Sequence, residues 1–144
     1  MLLEMPIRTI VLNTGQNCTK TVLNSKNTIF TFDIPPIDIP KNAKLSVASF
    51  IHKDPSKATN KYVIVLKLKD IMYNNYYYYC NDLNNSPTIL TFDTDYPSFC
   101  NGCYIYLNKQ TISMISLLGT DSLTDMNSGI ATTLEFCITL QIED

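Results

Sequence analysis

The stretch Leu134-Glu135-Phe136-Cys137-Ile138-Thr139-Leu140-Gln141-Ile142-Glu143 decides the fold. Leu134, Phe136, Ile138, Leu140 and Ile142 fall on every second position, and Glu135, Cys137, Thr139, Gln141 and Glu143 lie between them. Successive side chains of an extended chain point to opposite faces, so five apolar groups share one face and mostly polar groups share the other. A helix advances about 100° per residue and would scatter the same residues around its circumference. Burying the five apolar side chains contributes on the order of 10 kcal/mol of gross transfer free energy, an upper bound because an unfolded chain is already partly compact. A strand with one buried face follows.

The same alternation recurs upstream. In residues 28–34, Phe30, Phe32 and Ile34 face together against Thr31 and Asp33, and Pro35-Pro36 is expected to end the pairing because proline has no N–H to donate. Residues 44–51 form the next strand. In residues 62–68, Tyr62, Ile64, Leu66 and Leu68 oppose Val63, Val65, Lys67 and Lys69. Further strands are expected at residues 7–12, 88–92, 103–107 and 111–118, with a weaker one at 71–80 interrupted by Asn74-Asn75. One short helical turn is expected within residues 117–126, where Thr120-Asp121 offers a cap. Eight or nine short strands without helical crossovers must pair antiparallel, and two such sheets face to face make an all-β, jelly-roll-like antiparallel β-sandwich. Alternation alone does not separate that topology from an immunoglobulin-like one.

Composition agrees with this class. The chain has 144 residues, 45% hydrophobic and 17% charged, which suits a single domain spanning residues 1–144 with one core and no need of staples. Ile and Thr each occur 16 times, Asn 14 and Tyr nine, against four Ala, a balance suited to pleated surfaces and turns. Eleven basic residues against 13 acidic ones give a net charge of -2, with Arg8 the only arginine, so duplex nucleic acid is a disfavoured partner. One histidine and four glycines argue against two-histidine catalytic sites and glycine-rich phosphate loops. Residues 1–6 lack the basic start and cleavage site of a signal peptide, and no apolar run approaches the roughly 20 residues of a membrane span. A soluble protein made in the cytosol is expected. Five cysteines are an odd number in a chain of this size, which favours free thiols over a disulfide framework.

Three groups of residues are candidates for chemistry. Cys100-Asn101-Gly102-Cys103 has a metal or redox spacing, but zinc needs two more ligands and no second pair exists, while Asn-Gly reads as a type I′ hairpin turn flanked by structural thiols. His52 precedes the turn signal Lys53-Asp54-Pro55 and reads as a surface loop residue; Asp93 with Asp95 and Asp121 with Asp125 read as turn formers. Tyr76-Tyr77-Tyr78-Tyr79 is the most unusual run. In a strand, Tyr76 and Tyr78 face opposite to Tyr77 and Tyr79, so at most one pair joins the core and the other lies on a surface, available to a protein neighbour, ordinary sandwich packing or, with the surrounding Asn residues, carbohydrate.

The order of segments resembles a known group. Arg8-Thr9-Ile10-Val11-Leu12-Asn13 precedes the Phe-rich Ile29-Phe30-Thr31-Phe32-Asp33-Ile34. Ala43-Lys44-Leu45-Ser46-Val47-Ala48-Ser49-Phe50-Ile51 follows, and Leu117-Leu118-Gly119 stands before the final strand. This pattern is similar to the single-jelly-roll minor capsid or penton-like structural proteins of large icosahedral double-stranded DNA viruses. It departs from them in placing Thr120, not an aromatic residue, after Gly119. The Asn-, Ile-, Lys- and Tyr-rich usage that AT-rich codons produce agrees with many such viruses. The resemblance implies a non-enzymatic virion structural role without cofactor or catalytic residues, made and assembled in host cytoplasm. Expected partners are other capsid proteins, the major capsid protein included, and further copies of the chain. Contacts are expected through Tyr76, Tyr77, Tyr78 and Tyr79 and through an N-terminal arm, residues 1–6, led by Met1, Leu2 and Leu3. A carbohydrate-binding module using surface Tyr and Asn is the alternative.

Overall fold

A computed structural model describes residues 7–24, 27–53, 63–69, 71, 73–78, 88–93, 104–121 and 134–144. Ten strands lie among them: β1 (Ile7–Asn13), β2 (Cys18–Val22), β3 (Asn27–Ile39), β4 (Ala43–Lys53), β5 (Val63–Lys69), β6 (Tyr73–Tyr78), β7 (Thr88–Asp93), β8 (Tyr104–Leu107), β9 (Gln110–Asp121) and β10 (Glu135–Glu143). They form two five-stranded sheets, β1-β10-β4-β8-β6 (sheet A) and β2-β3-β9-β5-β7 (sheet B).

The pairing order identifies the topology. With β2 and β6 set aside, the first strand pairs with the last, β1 with β10, the second with the second-last, β3 with β9, then β4 with β8 and β5 with β7, all antiparallel. The chain is one nested hairpin wrapped into two layers, joined along the wrap by β10 on β4 and β5 on β9. This is the jelly roll, and the immunoglobulin-like order is excluded. β2 and β6 are additions, each at one sheet edge.

The deciding stretch behaves as its alternation requires. Leu134, Phe136, Ile138, Leu140 and Ile142 are all buried, while Glu135 is exposed and the other interleaved residues are half-buried. Phe136 anchors the two layers. Its ring centroid lies 5.0 Å from Phe30 and 6.1 Å from Phe32 across the interlayer space, both edge-on, and 5.9 Å from Phe50 beside it. Edge-to-face contacts of this kind add about 0.5–1.5 kcal/mol each beyond area burial. Gly119 lies under the same cluster, where a Cβ would come 3.0 Å from a carbon of the Phe30 ring, so any side chain there has to push that ring aside.

Four local expectations are corrected. The strand at Phe30 does not stop at Pro35-Pro36: its pairing with β9 lapses between Asp33↔Met114 and Ile37↔Ile112 and then resumes to Ile39, so both prolines sit in a bulge where no ladder N–H is required. Residues 117–121 continue β9 and pair with β3 and β5, which replaces the helical turn expected there; the remainder of that turn lies outside the described residues. His52 is inside β4, where it pairs with Phe136 in register and stacks on Phe50 at 5.8 Å, and is not a loop residue. β2 was not expected at all, because it has no buried face to leave an alternating signature.

The abundant Asn serves turns. Asn17 and Asn42 have φ of 52° and 66°, the left-handed region in which Asn is favoured among residues with side chains. The Asn13 side chain accepts the Gly15 N–H at 2.8 Å while its carbonyl accepts Gln16 N–H at 2.9 Å, closing the β1–β2 turn. At the other end of β1, Arg8 donates to Asp144 at 3.1 Å and to the Asp38 carbonyl, tying together both sheets and the C-terminal end of β10.

Candidate interaction surface

The sheet order sets the tyrosine-rich β6 beside β8 as the outermost strand of sheet A among the described residues. Tyr77 pairs in register with Ile105 and Tyr78 with Tyr104, across a register break between Tyr73 and Tyr77. β8 reads Tyr-Ile-Tyr-Leu, with Ile105 and Leu107 buried, so Tyr104 and Tyr106 lie on the outer face. Their rings meet edge-on at 5.4 Å, and the Lys44 ammonium sits 4.2 Å from the Tyr104 ring centroid. An exposed cation–π contact of this sort contributes about 0.5–1 kcal/mol and holds Tyr104 in one orientation. Two tyrosine segments far apart in sequence are thereby brought to one edge of one sheet. Tyr104, Tyr106 and Lys44 were not singled out from sequence; the signal was present in β8 as a two-residue period with tyrosine on the polar side.

The rest of that outer face is mostly polar, with Thr9, Gln141 and Ser46 in one register row and Glu143 and Lys44 in another, and three exposed apolar residues are set into it. Ile7, Val11 and Ile51 are 59%, 60% and 70% exposed. Register joins Val11 to Thr139 and Ser49 in one row and Asn13 to Cys137 and Ile51 in the next, so Val11 and Ile51 flank the half-buried free thiol of Cys137. The exterior of sheet B carries apolar groups as well, with Met114 46% exposed and Ile29 opposite a half-buried Leu118, and it adds side-chain hydrogen bonds. Thr31 and Ser116 hydroxyls meet at 3.2 Å, the Thr120 hydroxyl donates to the Asn27 amide oxygen at 2.9 Å, and Lys67 and Lys69 lie on the same side of β5.

The remaining candidates fall as follows. Tyr76, Tyr77 and Tyr78 lie in β6, whereas Tyr79, Cys100, Cys103, Met1, Leu2 and Leu3 lie outside the described residues, as do Asp95 and Asp125. Asp93 and Asp121 close β7 and β9. Cys18 and Cys137 are free, and burial pushes the Cys18 thiol up against the opposing pull of Lys20, which disfavours the nucleophilic thiolate. No group of three or more His, Cys, Asp or Glu side chains is placed to hold a metal among the described residues, and no helix there is long and apolar enough to cross a membrane. An open groove of about 580 Å³ is lined by Asp38, Ile39, Lys109, Gln110 and Thr111, with the Asp38 carboxylate accepting the Thr111 hydroxyl at 2.8 Å. Its single carboxylate is thus engaged in holding β3 to β9. Protein-family models, curated proteins and solved structures give no match to the chain.

Proposed function

We propose that this chain is a non-enzymatic virion structural protein, a minor capsid component that contacts capsid neighbours, the major capsid protein among them, and supports particle assembly or stability. The observation that carries the reading is the outer face of sheet A, where Ile7, Val11 and Ile51 stand in solvent and the Tyr104–Tyr106 pair lies further across the same face of a jelly-roll frame. Double-sheet jelly rolls recur in viral capsid domains, where rigid two-layer blocks meet through edges and faces. Such a block acts passively: each contact removes apolar and aromatic surface from water, and particle symmetry repeats a weak contact many times. Assembly in host cytoplasm agrees with the free thiols of Cys18 and Cys137. Because a fold hosts many functions, the test is direct. Quantitative mass spectrometry of purified particles of the encoding virus is expected to find the chain at a fixed ratio to the major capsid protein, with incorporation lost for an Ile51→Asp variant. Absence from the particle would overturn the reading.

Carbohydrate binding is the second reading, favoured by Tyr104 and Tyr106 on the surface with Tyr78 opposite Tyr104 in register. It stands behind the first because Lys44 already covers the Tyr104 ring, leaving less free aromatic surface for a sugar to stack on. A glycan array with specific signal that is lost on Tyr106→Ala would reverse the order.

A further inference from the structure

The four sheet edges are not alike. β2 is five residues long with Lys20 at its centre, and the pairings that hold β6 and β7 each contain a register break, devices that discourage further strand addition. β1 has none of these. It runs through seven uninterrupted pairs with β10, carries no Lys or Pro, and no strand among the described residues lies beyond it.

The phase of the ladder shows which groups of β1 are open. Thr14 N–H donates to the Phe136 carbonyl at 3.1 Å, so the even-numbered residues exchange hydrogen bonds with β10 and the odd-numbered ones turn theirs away from it. Asn13 uses its carbonyl in the following turn, which leaves Ile7, Thr9 and Val11 presenting N–H and C=O at the open edge. The same three residues have their side chains exposed on the outer face, and the two large ones are exposed to nearly the same extent, 59% and 60%.

We infer that β1 pairs antiparallel with β1 of a second copy of this chain about a twofold axis at Thr9. The segment is self-complementary about that residue. In this register Thr9 lies opposite Thr9 of the second copy, and Ile7 lies opposite Val11 of the second copy on either side. A β-branched residue stands two positions to each side of a central threonine, so the outward pattern matches itself when read in reverse, and only a reversed copy of the same segment uses that symmetry. The three opposed pairs are the hydrogen-bonded kind, and β-branched pairs and Thr–Thr pairs are favourable across strands. On the inner side Arg8 lies opposite Ile10, and its charge is already held by Asp144 and by the Asp38 carbonyl, so no unmatched like charges face each other. The inference concerns the isolated chain and does not rest on the virion reading.

The contact is smaller than the roughly 1,600 Å² of a standard interface, so the dimer is weak and is best followed by sedimentation from about 10 μM to about 1 mM. Wild-type protein is expected to shift from monomer to dimer across that range, and Val11→Lys, which sets an ammonium group against Ile7, is expected to remain monomeric. Ile51→Lys, on the same face but away from the edge, is expected to dimerise like wild type. Hydrogen-bonded antiparallel pairs hold their Cα atoms about 5.5 Å apart, within disulfide reach, so Thr9→Cys is expected to form covalent dimers on oxidation at least tenfold above wild type. Val11→Cys, which does not meet itself in this register, is expected to stay at the wild-type level. A wild-type protein monomeric at the top of the range overturns the inference, as does equal cross-linking of the two cysteine variants. So does a monomer whose Thr9 and Val11 amides are protected from hydrogen exchange, since another segment would then occupy the edge.

Discussion

The two sheets share one core and differ in their exteriors. Sheet B ties part of its outer face together through side chains, Thr31 on Ser116 and Thr120 on Asn27, with Lys67 and Lys69 bordering them and Met114 46% exposed nearby. Sheet A leaves Ile7, Val11 and Ile51 in water and keeps its outward aromatic side chains grouped around Lys44. Burial in the common interior cannot produce this difference, because strands of both layers alternate into the same space. What the contrast teaches is that the side-chain hydrogen bonds of sheet B contribute to stability, whereas single exposed residues of sheet A such as Ile51 contribute little.

Three substitutions probe that contrast, each followed by urea unfolding. The largest effect is expected from Phe136→Ala, which removes the ring touching Phe30, Phe32 and Phe50 at once and should cost about 3–5 kcal/mol. A loss of under about 1 kcal/mol would mean that the layers do not share that core. Thr31→Val comes next. It keeps the β-branched shape but leaves the Ser116 hydroxyl, 3% exposed, without its partner, and should cost about 1–3 kcal/mol. The smallest effect is expected for Ile51→Thr on sheet A, within about 0.5 kcal/mol of wild type at concentrations where the chain is monomeric. If Ile51→Thr proved as costly as Thr31→Val, the exterior of sheet A would be structural and the contrast would fail.

Much of this was legible in sequence, and the boundary is physical. β10, β3 and β4 were readable because a strand with one dry face must alternate, and Phe136, Ile138 and Phe30 carry that period. β2 was invisible because an edge strand lying outside the core has no dry face to encode. The bulge at Pro35-Pro36 was misread as an end, since proline forbids a ladder bond at its own position without forbidding resumption at Ile37, the next residue. Strand order was beyond local reading, because which strands become neighbours is decided by contacts far apart in the chain. The surface followed the same rule. The tyrosine run of β6 stood out by composition, but its meeting with Tyr104 and Tyr106 depended on β6 lying beside β8.

The ion pair between Arg8 and Asp144 joins residues 136 positions apart, at the closure of the outermost pair of the nested hairpin. Sheet A has β10 between β1 and β4, so its first strand has no partner during synthesis until the last one has been made. At about 5–20 residues per second, the residues between β1 and β10 take several seconds or more to emerge from the ribosome, and β1 lacks its β10 partner for that time. Loops this long also slow the search for the native pairing once the chain is free, as for other β-folds of high contact order. Closure of sheet A therefore waits until β10 has been made. During the wait, the strand whose edge is the least guarded in the finished protein is also the one exposed longest, and the concentration of nascent chains decides whether it first meets its own β10 or another molecule.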